Sequence, residues 1–390
     1  MTGRIHEHAW GYRGSKVIGI LVPIVLLFGL VFLLTQFPLE TDYLHLVERG
    51  IVPDVLYERA AGIEAVSGDP YRPTTELIAE HVDPSLAEAL PADAPAGEAP
   101  RPPSALLIQT ILALLSIEAL MPVITVATMA VLVWIGWLVV RISGATPKTM
   151  LWITPLALVS LPVVVSISHS PILGLLAVGL LLASWSHRNG SWAGLALGAA
   201  TGLRLWPGLV IVGFWLTGKR RLAYTALGAF LALNVVALTL PGIDLDQSIS
   251  SLAHGQLEWI NHNMNASLAL VLLPYGVPPL VSTVVAVLIG LVAAVRNKAL
   301  AVPITILAAI IASPLSWPTY ALAALPLAVL YAHVRSLVPI LVLTVPAVTW
   351  DFLPAKWLGH VHFVVLAVLF VLFSRLRPTT SEAAASQLIS

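Results

Sequence analysis

Apolar stretches of roughly membrane-spanning length recur along this chain, from residue 17 to residue 374, with charges gathered at their ends. A bilayer core about 30 Å thick takes a helix of about 20 apolar residues. The runs lack the apolar–polar alternation of a barrel strand. Only 10% of the 390 residues are charged, against about a quarter in a soluble domain, and the mean hydropathy is +0.91. These features predict an all-α polytopic membrane protein. Spans are expected at 17–35, 120–141, 149–167, 170–187, 222–240, 279–295, 299–313, 317–334, 336–352 and 359–375, the first read as a retained signal anchor. With a broken hairpin at 191–218, that makes about 10–12 transmembrane helices, with residues 1–390 read as a single domain.

Charge sets the orientation. Segment 36–104 holds thirteen acidic residues and four basic ones, a net charge of −9. The remaining basic residues sit mainly in short clusters beside apolar runs, at Arg13/Lys16, Arg141/Lys148, Lys219-Arg220-Arg221, Arg296/Lys298, Arg335 and Arg375/Arg377. The positive-inside rule makes those clusters cytoplasmic. Both termini are then cytoplasmic, and loops 36–104 and 241–278 are extracytoplasmic. Formal net charge is zero and there is no cysteine, so the sequence offers no basic face for nucleic acid, no disulfide and no thiolate metal site. No histidine–carboxylate cluster at ligand spacing stands out, and no metal or other cofactor is expected; Asp244/Asp246 alone is weak evidence.

Residues 191–218 lie between Arg188 and Lys219-Arg220-Arg221, which both belong on the cytoplasmic side. One crossing would violate the charge rule. Two short helices broken near Trp206-Pro207 satisfy it, since proline lacks a backbone donor and interrupts a helix. Such a break needs protein or a wet cavity around it. Arg204 then sits near the tip, towards the outer half. An intramembrane arginine marks a functional site by default, and guanidinium matches phosphate as a planar fork. The plainer alternative is that it snorkels, or pairs with one carboxylate.

The outer loops carry the remaining polar signals. Segments 41–50 and 53–65 read as short amphipathic helices at the membrane surface. Residues 67–73 are turn chemistry, 91–103 a Pro/Ala linker, and 105–119 an interfacial or re-entrant helix. In the second loop, Asn261, His262, Asn263, Asn265 and Ser267 precede an apolar stretch. Capping needs one such residue, so five suggest a polar cavity. "SPLSWPTY" (313–320) breaks the pattern between two spans on the same side.

These stretches resemble the GT-C superfamily of membrane glycosyltransferases, and within it the polyprenol-phosphate-mannose-dependent α-1,2-mannosyltransferases that include phosphatidylinositol-mannoside enzymes. "TDY" (41–43) is similar to the family's Asp-aromatic motif, and "PRPPSALLI" (100–108) to its Pro-Pro lead-in to an interfacial helix. "WAGLALGAATGLRLWPGLVIVGFWLTGKRR" (192–221) matches an Ala/Gly-rich helix followed by a cation, a proline and a basic end. "NASL" (265–268) resembles an Asn-Gln-Ser-Leu motif and "SPLSW" (313–317) a Ser-Pro-x-Ser-Trp motif. The family commonly has histidine after that Trp; here Pro318, Thr319 and Tyr320 follow, so Thr319, Tyr320, His262 or His254 takes over its role.

The resemblance implies a GT-C fold and inverting transfer of a mannosyl or related residue from a polyprenyl-phosphate donor. The acceptor would be a glycolipid or glycan on the outer face of the cell membrane. A carboxylate is expected as base, with Asp42 preferred, Asp54 its rival, and Glu40 or Asp69 behind them. Arg204 is expected to hold the donor phosphate, with His262, Asn265, Ser267, Ser316, Trp317, Thr319 and Tyr320 lining the substrate site. Two other functions fit the residues: a flippase for a lipid-linked substrate, since broken helices also mark transport sites, and an inactive envelope-assembly scaffold.

Overall fold

The computed structural model describes residues 54–82, 84, 101–144, 160–169, 171–187, 190–260, 265–334 and 358–375. The expected spans 17–35 and 336–352, segment 41–50 and the candidate residues Asp42 and His262 lie outside these residues, as does the side chain of His254. Every regular element among the described residues is helical.

Two short helices open the described chain, α1 (Asp54–Ser67) and α2 (Thr74–His81). They are followed by α3 (Pro103–Ala113) and the long α4 (Ile117–Ser143). Next come α5 (Leu161–Ser168) and α6 (Ile172–His187), then α7 (Ser191–Leu203), α8 (Gly208–Leu216) and α9 (Arg220–Ala237). The segment expected as the second outer loop contains α10 (Leu245–Ile260) and the short α11 (Leu268–Leu272). The chain continues through α12 (Pro279–Arg296), α13 (Ala301–Ala312), a 3₁₀ turn (Pro318–Ala324), α14 (Leu325–Val334) and α15 (Leu358–Arg375). Sequence reading treated 241–278 as a polar loop. Helix α10 arises there because its apolar residues recur at helical spacing, with Ser248 and Ser251 on the buried side.

Among the described residues, two helices, α4 and α12, are long and apolar enough to cross a membrane by length and composition. The outward faces are what lipid requires. On α12, Leu280 is 73% exposed and Leu288 55%, and on α4 Val133 is 74% exposed. A soluble protein rarely exposes contiguous apolar patches on this scale. Arg141 lies over the Trp137 ring at 5.3 Å, and Arg220 over Trp215 at 5.8 Å. Such aromatic–cation pairs anchor helix ends at headgroup level, and both fall at ends that the charge pattern reads as cytoplasmic. At the centre lies α13, with all twelve residues buried.

The expected break at 191–218 is present. Helix α7 stops at Leu203, Arg204 is extended (φ −146°, ψ 130°), and Pro207 caps α8. Both halves pack on α9. Gly198 lets α7 approach α9 so closely that a Cβ there would meet the Ala226 carbonyl oxygen.

Candidate active site

Helix α1 is placed by backbone. The Asp54 amide donates to the His169 carbonyl beyond α5 (2.7 Å), and the Gly242 amide donates to Ala65 (3.1 Å). Gly62 admits the backbone of α3 at Gln109, where any Cβ would clash. Helix α3 is tied in turn to the break, since Ser104 Oγ donates to the Gly202 carbonyl at 2.7 Å. These contacts bring one face of α1 against Arg204.

On that face, Asp54 and Glu58 are one turn apart, at a spacing that puts both side chains on the same side of the helix. Arg204 Nη2 donates to Glu58 Oε1 at 3.3 Å, across 146 residues of chain. Glu58 is fully buried. A second buried guanidinium, Arg101, lies over the Tyr57 ring at 5.6 Å and gives Nη1 to the Pro70 carbonyl at 2.9 Å. Burial pushes the Asp54 carboxyl up to about 6, against the pull of Arg204 and a hydrogen bond from Tyr57. Burial likewise pushes Glu58 up to about 8, with Arg204 opposing and the nearby Asp54 adding to the rise. Arg101 is lowered to about 10 by the same loss of water.

The 3₁₀ turn closes the other side. Tyr320 stacks on Trp206 of the break, with ring centroids 5.1 Å apart and a 35° tilt. Thr319 Oγ1 accepts from Ser166 at 3.3 Å.

"NASL" and "SPLSW", 45 or more residues apart in sequence, are clasped together. Asn265 Nδ2 donates to the Pro314 carbonyl (2.7 Å), and Asn265 Oδ1 accepts from the Ser316 amide (2.8 Å) and the Ser267 amide (3.2 Å). The Ala266 amide donates to the Ser316 carbonyl at 2.7 Å. Ser267 Oγ caps α11 by accepting from the Leu270 amide at 3.1 Å. Asn265 and Ser267 thus serve the backbone in this structure, and Trp317 caps the 3₁₀ turn. Ser316 is buried with an Oγ that has no hydrogen-bond partner.

Of the expected site residues, Asp54, Arg204 and Tyr320 therefore converge, while Ser316 and Thr319 line the adjoining turn. Glu58 and Arg101 join them without having been singled out from sequence. A signal existed: Glu58 falls on the stripe of Ala61 and Ala65, the buried face of α1, and a carboxylate on an apolar stripe demands a partner.

A second cluster lies at the other end of α1. Glu64, Glu80 and His81 bring possible ligand atoms within 4.8 Å of one another. Arg72 already pairs with Glu64 (3.0 Å) and Glu80 (2.9 Å), so a guanidinium supplies the positive charge there.

Helices with exposed apolar faces around a broken hairpin, with carboxylates and guanidiniums buried where it breaks, fit a polytopic membrane protein. The model of glycosyltransferase family 87 matches residues 101–318, more than half of the chain. The chain belongs to that family, a polytopic membrane GT-C family of polyprenol-phosphate-mannose-dependent mannosyltransferases, and it is a glycosyltransferase. No curated protein and no solved structure matches it.

Proposed function

We propose that this enzyme transfers a mannosyl residue, with inversion, from a polyprenyl-phosphate donor to a glycolipid or glycan acceptor on the outer face of the cell membrane. The observation that carries this reading is that Asp54 lies near enough to Arg204 at the hairpin break for their charges to interact, in a chain of this family. The acceptor hydroxyl attacks the anomeric carbon from the face opposite the phosphate. Its proton passes to a carboxylate as the bond to phosphate breaks through an oxocarbenium-like transition state. Asp54 is the base in this reading. A carboxyl whose pKa is raised to about 6 is ionised at neutral pH yet basic enough to take a proton. Arg204 neutralises the departing phosphate, and a fixed cation in a site shielded from water stabilises such charge far more than in bulk solvent. Tyr320 and Trp206 offer a buried aromatic wall beside the sugar position.

The test is transfer of radiolabelled mannose from polyprenyl phosphomannose to a lipid extract by the purified protein, with Asp54→Asn and Asp42→Asn alongside. Product from the wild type and Asp42→Asn, with a loss of about 10³-fold in Asp54→Asn, is the expected result. Loss in Asp42→Asn alone would move the base to Asp42. Transfer only from an arabinose-linked donor would change the sugar. No transfer by folded wild type from either donor would favour a scaffold.

A further inference from the structure

We propose that Glu58 is a positioning residue that occupies the phosphate place between Arg204 and Arg101 and yields it to the phosphodiester of the donor. This rests on the reading above, in which Arg204 receives that phosphate.

The geometry of the pair is the first support. An arginine–carboxylate fork makes two parallel bonds at about 2.7–2.9 Å. Here a single approach of 3.3 Å joins Nη2 to Oε1. Glu58 Oε2 and Arg204 Nε are both buried without a hydrogen-bond partner. Arg101, 1% exposed, leaves Nε and Nη2 equally unpartnered. Buried donors are nearly always satisfied in native proteins, and exceptions call for a ligand or another explanation. Three donor nitrogens on two guanidiniums await an acceptor, and the one carboxylate contact, to Arg204 Nη2, reaches none of them. A phosphodiester offers two non-bridging oxygens in a tetrahedral spread, which suits donors arriving from separate elements.

Charge balance is the second support. Glu58 interacts electrostatically with both Arg204 and Arg101. With Asp54 and Glu58 both ionised, as above pH 8, two cations face two anions, and an added phosphate would leave the cluster negative unless a carboxylate took up a proton. Asp54 must stay ionised to act as base. Glu58 is the group placed to change, since burial already raises its carboxyl to about 8. The titratable and charged groups facing it are Asp54 and Tyr57 on α1, Arg101 ahead of α3, Arg204 at the break and Tyr320 on the 3₁₀ turn. Above pH 8 donor binding therefore draws one proton onto Glu58, and below it the carboxyl is already neutral.

The experiment measures equilibrium binding of a short-chain polyprenyl phosphomannose to the purified full chain between pH 7 and pH 9. With the Glu58 carboxyl near 8, wild-type affinity should fall about tenfold over that range. Glu58→Gln should bind about equally at both ends and about tenfold more tightly than wild type at pH 9. A purely structural partner of Arg204 would not improve binding when removed. Arg101→Gln, a second variant that does not depend on how Glu58→Gln folds, should weaken binding at every pH. Equal or weaker binding by folded Glu58→Gln at pH 9, or a wild-type affinity that does not change with pH, overturns the inference. If the wild type transfers sugar while either holds, the inference alone falls. If the wild type binds no donor at any pH, the functional reading falls and takes the inference with it.

Discussion

Helix α1 carries two buried glutamates, and its surroundings treat them in opposite ways. Glu64 is saturated. Its Oε1 pairs with Arg72 at 3.0 Å and His81 at 2.6 Å, and its Oε2 accepts the Asp69 amide at 2.7 Å. Burial opposes its charge, but those hydrogen bonds and Arg72 hold its carboxyl below the usual range. Glu58, less than two turns earlier, has one long contact and a bare oxygen, and its carboxyl is raised to about 8. A carboxylate with partners on both oxygens fixes a turn, here the one between α1 and α2. A carboxylate with spare capacity beside spare donors leaves room for a third party.

That contrast can be broken most forcefully at the break. Arg204→Gln should reduce kcat/KM for the lipid phosphosugar donor by about 10²-fold, the scale of losing one charge-stabilising donor. The protein should remain monodisperse, because Glu58, with its raised pKa, can lose its charge by protonation. An aggregated Arg204→Gln protein would instead make the pair structural, like Glu64 with Arg72.

The pH profile sharpens the same contrast. Asp54 must be ionised to accept the proton, and its carboxyl stands at about 6. Transfer should therefore rise with pH up to about that value, falling about tenfold per unit well below it. A limb at a much lower pH would exclude Asp54 as the titrating base.

Stability should respond in the reverse order. Glu64→Gln loses charge-assisted bonds to His81 and Arg72 and should cost about 2 kcal/mol, read as a lower melting temperature in detergent. Because the carboxyl of Glu64 is depressed in the folded protein, its contribution is present at neutral pH and is lost as pH falls through the folded value. The smallest change is expected of Glu80→Gln, where a carboxylate 53% exposed pairs with an Arg72 31% exposed. Pairs of that kind contribute less than about 1 kcal/mol. A larger loss would mean that Glu80 holds Arg72 in place against Glu64.

Much of the architecture was legible before any coordinates. Helices at 117–143, 172–187, 279–296 and 358–375 follow their apolar runs closely. The break between Leu203 and Gly208 was readable from a proline and a conflict of flanking charges. The site was less legible. Asn265 and Ser267 looked like surplus polarity for a cavity, yet their first use is local, since short polar side chains readily bond nearby backbone. Glu58 was one of thirteen acids in a single loop, and composition cannot rank thirteen equal candidates.

The sequence by itself determined that this chain lives in a bilayer, that its long apolar runs are helices, and that an arginine sits where one of them breaks. Those outcomes follow from hydropathy, charge position and proline, all of which act over a turn or two. Tertiary structure alone decided which acid Arg204 meets, that Arg101 joins it, and that the donors among them are left over. Those are contacts across as many as 146 residues. They depend on Gly62 and Ser104 setting how closely α1, α3 and α7 approach, a distance no local pattern encodes.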